Sequence, residues 1–182
     1  MDPADLTIGL LTYDDFDGAY FTIESARLYH ANVRNRINFL IVDNNPDGAH
    51  GKMLAEVYGG DPQVAYSAVR GKTGSTLKNL VFELSSSPVT MCIDSHVMLD
   101  LGSLQLILDF YDANPECDDL LQGPLINEAG DVIGTQMNPN WSNQMFGQWH
   151  VDERGKDPAG NGFKIPMHGM GMFVCRTVAW PR

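Results

Sequence analysis

The sequence predicts an α/β protein, in which a mostly parallel β-sheet has helices on both faces and forms a three-layer α/β/α domain. In the first 115 residues, apolar runs of strand length alternate with segments of helical periodicity, and these runs are apolar nearly throughout. Continuously apolar strands are buried on both faces, and right-handed crossovers join the parallel strands of such alternating units. The length of 182 residues suits one folded domain, so we expect residues 1–182 to form a single domain.

Four strands and four helices are predicted in this first part of the chain. The strands cover residues 6–13, 37–42, 63–69 and 89–93. Three helices cover residues 19–33, 51–58 and 75–84, and a fourth follows Asp100, which can cap it, and ends before Asn114. The helix at 75–84 has the clearest pattern, with an apolar stripe at i, i+3, i+4 and i+7 formed by Leu77, Leu80, Val81 and Leu84.

The pattern changes after residue 115. Residues 120–124 and 132–137 are predicted strands joined by a turn at 127–131. Residues 138–162 are rich in Asn, Gly, Pro and Trp, which predicts a loop, and one more strand is expected at 172–175.

The composition excludes several classes of partner. The formal net charge is -11 and the chain has no block of basic residues, which argues against binding to nucleic acid or to an anionic membrane. No apolar run approaches the ~18 residues of a membrane-spanning helix, and residues 1–5 do not resemble a secretory signal. Cys92, Cys117 and Cys175 have no paired spacing, so we expect reduced core cysteines and a cytoplasmic location.

Polar residues follow several of the predicted strands, where ligands bind in parallel sheets. Asp94 and His96 are two positions apart, so an extended backbone directs both side chains to the same side. A carboxylate oxygen and an imidazole nitrogen can hold one divalent cation, and this mixed pair favours Mn²⁺ over Mg²⁺. The alternative is a capping Asp and a solvated His, but the strand before the pair and the helix after it favour the metal site.

Four segments together resemble a known group of enzymes. Residues 43–48, DNNPDG, resemble the "VDN-x-S-x-DG" loop of family 2 glycosyltransferases and their GT-A relatives, and residues 71–79 resemble their "G-x-x-x-A-R-N" segment, with Lys78 in place of Arg. Residues 93–96, IDSH, are similar to the "L-D-A/S-H" motif of polypeptide N-acetylgalactosaminyltransferases, whose His binds manganese. Residues 165–173 look like the "P-x-x-x-G-G-L-F" acceptor loop, although Met170 interrupts the Gly pair. The resemblance spans essentially the whole chain.

The resemblance implies a GT-A (Rossmann-like) domain that binds a nucleotide sugar, and it assigns roles to particular residues. The implied nucleotide-binding residues are Thr12, Tyr13, Asp43, Gly71, Lys78 and Asp94, with Asp43 on the nucleobase. The implied metal ligands are Asp94 and His96, for Mn²⁺ or alternatively Mg²⁺. The residues expected to contact the donor or acceptor sugar are Trp141, His168, Gly169 and Met170.

The expected reaction transfers a hexose from a nucleotide diphosphate sugar, expected to be UDP-linked, to a hydroxyl of a glycan, lipid or protein acceptor. A bound metal would stabilise the charge of the departing diphosphate. The family continues into a "G-G-x-D/E-D/E" helix that the 182 residues do not contain, so we expect a C-terminally truncated or unusually short member that binds donor but transfers it poorly. No catalytic base is assigned; Asp152 and Glu153 are the only nearby acids before Asp157, and they lie in the polar segment that precedes the acceptor loop.

Other interpretations stay open at this point. A nucleotidyltransferase also places a carboxylate and a metal at a strand end, but it has a Gly-rich basic loop after the first strand, where this chain is acidic at 13–18. A non-catalytic module that only binds nucleotide is the second alternative. Individually, Lys78 could be a solvated helix residue, His168 an exposed loop residue, and Trp141 and Trp149 could close the end of the core.

Overall fold

A computed structural model of the chain describes residues 4–72, 74–157 and 162–181. The chain divides into two compact units, one formed by Met1–Leu120 with Val174–Arg182 and the other by Leu121–Phe173. The helices are α1 Phe16–Tyr29, α2 Ala49–Tyr58, α3 Lys78–Leu84 and α4 Ser103–Ala113. The strands are β1 Leu6–Thr12, β2 Ile37–Asp43, β3 Val64–Ala68, β4 Val89–Asp94, β5 Leu125–Ile126, β6 Val132–Gly134, β7 Gln136–Ser142, β8 Met145–His150 and β9 Met172–Arg176.

The central sheet has the strand order β3-β2-β1-β4-β9. Strand β1 pairs in parallel with both β2 and β4, and β2 pairs in parallel with β3. The N–H of Thr177 donates to the carbonyl of Pro88 over 2.9 Å, so the end of β9 lies beside the start of β4 and the two run antiparallel. This mostly parallel sheet flanked by helices confirms the predicted fold class.

The sheet is held by apolar side chains on both of its faces. Strand β2 is buried along its whole length, and β1 and β4 are buried at all but one position each. Side chains that have no exposed surface include Ile8, Leu10, Phe39, Ile41, Met91 and Ile93. Gly9 of β1 faces Val81 of α3 so closely that a Cβ at residue 9 would collide with the valine side chain. Helix α3 therefore packs directly against the backbone of β1.

Two predicted helices have different boundaries in the structure. Helix α1 begins at Phe16, because the Asp15 side chain caps it by accepting the Gly18 N–H at 3.0 Å, and it ends at Tyr29, after which Ala31–Arg36 forms a separate 3₁₀ helix. The predicted helix at 75–84 is a 3₁₀ turn, Ser75–Leu77, followed by α3.

The buried face of α3 also differs from the predicted stripe. Leu84 is 48% exposed, so the predicted stripe is wrong at that end, and Lys78 and Phe82 are buried instead. The cap predicted for the fourth helix is also wrong, because Asp100 accepts the N–H of Leu101 ahead of α4, which begins at Ser103.

The second unit contains two antiparallel pairs, β5 with β6 and β7 with β8. The prediction of a loop at 138–162 is wrong, because β7 and β8 form a hairpin there. Its turn residues Asn143 and Gln144 have positive φ angles of 49° and 66°, as in the tight turns that suit a twisted hairpin. The strand predicted at 120–124 is also displaced, to β5.

Within the described residues, the structure contains no helix long and apolar enough to cross a membrane. Cys92 and Cys175 are buried, as expected for core cysteines, and burial raises the pKa of Cys92 to about 12 and that of Cys175 to about 11.

A buried histidine closes the C-terminal end of α1. His30 is 1% exposed, and its Nε2 atom has no hydrogen-bond partner among the described residues. Removal from water lowers the pKa of His30, and this outweighs the opposite effects of a hydrogen bond to the Leu99 backbone and of the Asp100 charge. The folded protein therefore holds this imidazole neutral.

We expect stability to fall as the pH is lowered through the ordinary histidine pKa of about 6.5. Below that pH the His30 imidazole is protonated in the unfolded chain but stays neutral in the folded protein. The free energy of unfolding therefore keeps falling until the pH reaches the lowered pKa of the folded state. Between pH 7.5 and 5.5, the free energy of unfolding measured with urea should fall less in His30→Phe than in the parent. Replacement of the exposed His150 by Gln is the control, and equal losses in the parent and His30→Phe would contradict the assignment.

Candidate functional site

The carboxyl ends of three neighbouring strands meet at one edge of the sheet. Thr12 of β1 is paired with Asp43 of β2, and Leu11 of β1 is paired with Asp94 of β4. The backbone of the next residue continues this alignment, since the Asn44 N–H donates to the carbonyl of Thr12 at 3.1 Å. The strand-end residues singled out from the sequence are thus neighbours in space.

A pocket of about 270 Å³ lies at these strand ends. It is lined by Leu11, Thr12, Tyr13, Asn44, Gly74, Leu77 and Lys78. Three of the predicted nucleotide-binding residues, Thr12, Tyr13 and Lys78, are among them. Gly71 is not; it is exposed, with a positive φ of 71°. Asn44 was not predicted, although its place in the DNNPDG loop was a signal for it.

Asp43 lies beneath this surface, with only 1% of its area exposed. One carboxylate oxygen accepts the N–H of Asn45 at 2.8 Å, and the other accepts the hydroxyl of Tyr66 at 2.6 Å. Burial, followed by the hydrogen bond to Asp43, raises the pKa of Tyr66, so the phenol stays a donor. Asp43 therefore shapes the loop that carries Asn44, and its contact with a nucleobase stays a prediction.

Lys78 carries a positive charge into this edge of the sheet. It is the first residue of α3, its side chain is 10% exposed, and its Nζ donates to Asp94 Oδ1 at 3.1 Å. The Asp94 side chain is 39% exposed, so the other side of the carboxylate reaches solvent. The ammonium therefore contacts the predicted metal ligand, and the same residue lines the pocket.

His96 extends into solvent with 73% of its side chain exposed, and its Nδ1 lies 3.9 Å from Asp15 Oδ2. The same Asp15 oxygen accepts the hydroxyl of Ser95 at 2.5 Å. The Thr22 hydroxyl lies 2.9 Å from the carbonyl of Ser95 and 3.1 Å from that of Val97, and can donate to either. These contacts fasten the turn that carries His96 onto α1.

Sequence reasoning did not find Asp15 or Thr22 as residues of this site. Asp15 lies in the acidic segment at 13–18 and caps α1, but its contact with Ser95 joins positions 80 apart in the chain. Thr22 is 73 positions from Ser95 and has no sequence signal.

The donors predicted for a metal, Asp94 and His96, both reach solvent. Across the ranges that the structure describes, no group of three or more His, Cys, Asp or Glu side chains is placed to hold a metal ion. Asp94 Oδ1 already faces a cationic group, so its position suits a positive charge. Residues 95–96 form a turn, in which the Val97 N–H donates to the Asp94 carbonyl, so the extended backbone expected to direct both side chains to one side ends at Asp94. A transition ion held by this oxygen and nitrogen donor, with its other ligands from a bound molecule or from water, stays a prediction.

In the second unit, the predicted sugar-contacting residues lie on a loop and a hairpin. The Gly169 N–H donates to Gln122 at 2.7 Å, and the His168 Nδ1 lies 2.8 Å from the Gly169 carbonyl. A Cβ at Gly169 would be 2.5 Å from the Trp149 ring, so this position packs against the indole. Met170 is 43% exposed.

Trp141 of β7 is 75% exposed and makes an edge contact with Phe146 of β8, their ring centres 5.5 Å apart. It therefore presents an open indole surface, unlike Trp149, which Gly169 and Gly134 both approach closely. Trp141 is too exposed to close the end of the core, which was the alternative interpretation of this residue.

The two acids considered as a catalytic base, Asp152 and Glu153, both have basic partners. Asp152 accepts from the Arg154 guanidinium at 2.7 and 3.0 Å, and these hydrogen bonds lower the pKa of Asp152 to about 2. Glu153 is paired with Lys156 at 2.7 Å. A carboxylate with so low a pKa is a weak general base near neutral pH.

No protein-family model matches the chain, and no curated protein sequence matches it. Among solved structures, the chain is similar to that of residues 1–349 of S. aureus TarS, a glycosyltransferase, with a TM-score of 0.61 and 11% sequence identity. The similarity covers 96% of this chain and 47% of the TarS chain, so this chain spans about half the length of that structure. The similarity shows that this chain shares the fold of that part of the TarS structure.

We expect Thr22→Val to release the turn at Ser95–Val97, because it removes the hydroxyl while keeping the side-chain shape. Leaving a buried acceptor without its donor costs about 1–3 kcal/mol, and 1.4 kcal/mol is about tenfold in an opening equilibrium. Hydrogen exchange at the Val97 amide should therefore accelerate by about tenfold or more. Thr22→Ser keeps the hydroxyl and serves as the matched control; equal acceleration in both variants would show that the hydroxyl does not hold the turn.

Proposed function

We propose that the chain is the nucleotide-sugar-binding domain of a metal-dependent glycosyltransferase. The observation that carries this proposal is the pocket at the strand ends, which Lys78 lines while its ammonium contacts Asp94. In a chain with a net charge of -11, a nearly buried cation beside a pocket indicates an anionic ligand. The glycosyltransferase-like fold supports a nucleotide sugar as that ligand.

The donor nucleotide enters the pocket with its base towards Thr12, Tyr13 and Asn44. The pocket volume of about 270 Å³ is at the lower end of the ~300–1,000 Å³ usual for small-molecule sites, which suits part of a nucleotide sugar. Asn44 would offer its side-chain amide to a pyrimidine such as uracil, and Lys78, which also lines the pocket, would meet the phosphates. A UDP-linked sugar is therefore the donor we propose.

Asp94 and His96 are the residues that would hold a divalent cation, with Mn²⁺ preferred to Mg²⁺ because one donor is an imidazole. Such an ion acts as a Lewis acid, which stabilises the negative charge of the leaving diphosphate. Asp15, Ser95 and Thr22 keep the turn that bears His96 in place. Lys78 adds a fixed positive charge next to the same carboxylate.

The sugar and its acceptor are assigned to residues of the second unit. The exposed face of Trp141 is suited to stacking on a sugar ring, and His168, Gly169 and Met170 form the proposed acceptor loop. The accepting group is a hydroxyl of a glycan, lipid or protein.

A non-catalytic nucleotide-sugar-binding module is the second candidate. It is favoured by the pairing of Asp152 with Arg154 and of Glu153 with Lys156, which occupies both acids considered for the base. Incubation of the protein with Mn²⁺ and a panel of nucleotide sugars distinguishes the two. Release of free sugar or UDP that Asp94→Ala abolishes indicates an enzyme, whereas binding without turnover indicates a module.

We expect Asp94→Ala and His96→Ala each to weaken UDP binding in the presence of Mn²⁺ and to leave the fold intact. Changing a residue that only supports a metal ligand costs about 10–100-fold in metal affinity, so loss of a ligand should cost at least as much. Isothermal titration calorimetry measures the effect, circular dichroism checks the fold, and His150→Ala is the control. If both variants bind UDP with Mn²⁺ as the parent does, the metal assignment is wrong.

We also expect Asp43→Ala to weaken uridine binding without metal, by about 1.5–3 kcal/mol, if the carboxylate contacts the base. Because Asp43 also accepts the Tyr66 hydroxyl, Tyr66→Phe is the matched control, which removes that internal hydrogen bond and keeps the carboxylate. Uridine titration should show a large loss for Asp43→Ala and a small one for Tyr66→Phe. Equal losses would mean that Asp43 shapes the loop and does not touch the base.

A further inference from the structure

We infer that the hairpin of β7 and β8 binds a neutral oligosaccharide, so that the acceptor is an uncharged glycan and not an anionic polymer, a lipid or a protein. This narrows the proposed function, on which it rests for the role of the bound sugar as acceptor. The binding surface itself is argued from the composition, exposure and pairing of the hairpin residues.

The hairpin belongs to an uncharged stretch of the chain. Residues 132–151 contain no Asp, Glu, Lys or Arg, although 19% of the residues of the chain are charged, and no other run without them is as long. Exposed strands of soluble proteins usually carry charged side chains, which protect their edges from pairing with other chains. The exposed β7 and β8 lack this protection, which indicates a surface kept uncharged for a ligand.

Two aromatic side chains form the centre of this surface. Trp141 and Phe146 are opposite each other in the β7–β8 pair, so their side chains lie on the same face. They are 75% and 52% exposed, and their ring centres are 5.5 Å apart. The packed side of the hairpin is a different one, because a Cβ at Gly147 would collide with Met137 and Met167. The two rings therefore offer adjoining apolar surfaces that can cover the C–H faces of sugar rings.

Amide side chains flank the aromatic pair. Asn140, Asn143, Gln144 and Gln148 are all exposed. Gln148 is two positions from Phe146 along β8, so strand alternation puts both on one face. A carboxamide both donates and accepts hydrogen bonds, as a sugar hydroxyl does. Aromatic rings flanked by amides thus match the apolar face and the hydroxyl edge of a neutral sugar.

The other classes of acceptor suit this surface less well. A phosphate-containing polymer or an anionic lipid headgroup is recognised by Arg or Lys, and residues 132–151 contain neither. Trp, Phe and Met also occur in protein interfaces, but Arg and Tyr, which are enriched there, are absent from the same residues. A neutral glycan requires no charged partner.

The test is calorimetric titration of the protein with four neutral probes: maltohexaose, laminarihexaose, mannohexaose and chitohexaose. We expect at least one to bind, with an affinity that changes little between about 50 and 500 mM NaCl because no ion pair forms. Trp141→Ala should weaken this binding by about tenfold or more, since it removes the largest apolar contact, and Trp141→Phe should retain most of it. Phe21→Ala is the matched control, because it removes a 62% exposed ring from α1, and it should bind as the parent does.

Titration with inorganic polyphosphate and with an unfolded peptide tests the other acceptor classes, and circular dichroism checks the fold of each variant. If no hexasaccharide binds, or if Trp141→Ala binds the oligosaccharide as the parent does, the inference is wrong. Binding of polyphosphate or peptide that depends on Trp141 would also overturn it.

A separate titration of the parent with UDP, with and without Mn²⁺, tells the two failures apart. If UDP binds and no oligosaccharide does, the inference fails while the proposed function stands. If an oligosaccharide binds through Trp141 but UDP does not bind under either condition, the proposed function fails and the acceptor role fails with it, whereas the hairpin is still a glycan-binding surface.

Discussion

The parallel pairing of β1 with β2 and with β4 is the constraint on which the site depends, because it brings three strand ends to one edge. Burial of apolar residues on both faces of these strands stabilises this register at about 25 cal/mol per Å² of apolar surface. A slip by one residue would move every side chain of a strand to the opposite face. Thr12, Asp43 and Asp94 are therefore positioned by the core beneath them rather than by contacts among themselves.

The acids around these strand ends have distinct roles because each has a different partner. Asp43 is buried against Tyr66 and Asn45 and supports a loop. Asp15 caps α1 and holds Ser95, so it ties the helix to the turn that follows β4. Asp94 contacts the ammonium of Lys78 while it reaches solvent. The difference lies in burial and partners, since the side chains are chemically identical.

The sequence was sufficient to predict the parallel sheet and its strand ends, because buried strands are continuously apolar and their ends carry polar residues. It could not predict the burial of Lys78, because the apolar stripe through Leu80 and Leu84 indicates a different helix face from the one that Lys78 and Phe82 share with Val81 in the structure. The hairpin of β7 and β8 was missed because its strands are largely exposed and contain Pro139 and Gly147, so they lack the apolar alternation of a half-buried strand. The contact between Thr22 and the turn after β4 is tertiary and has no local pattern.

The missing side chain of Gly9 has a consequence that reaches beyond packing. Since a Cβ there would collide with Val81, residue 9 sets the depth at which α3 rests on the sheet. Lys78 is the first residue of that helix, so the same depth sets the separation between its ammonium and Asp94. Gly9 thus acts as a spacer for an ion pair that it does not touch, and a variant with a larger residue there would change the electrostatics of the pocket with every pocket residue intact.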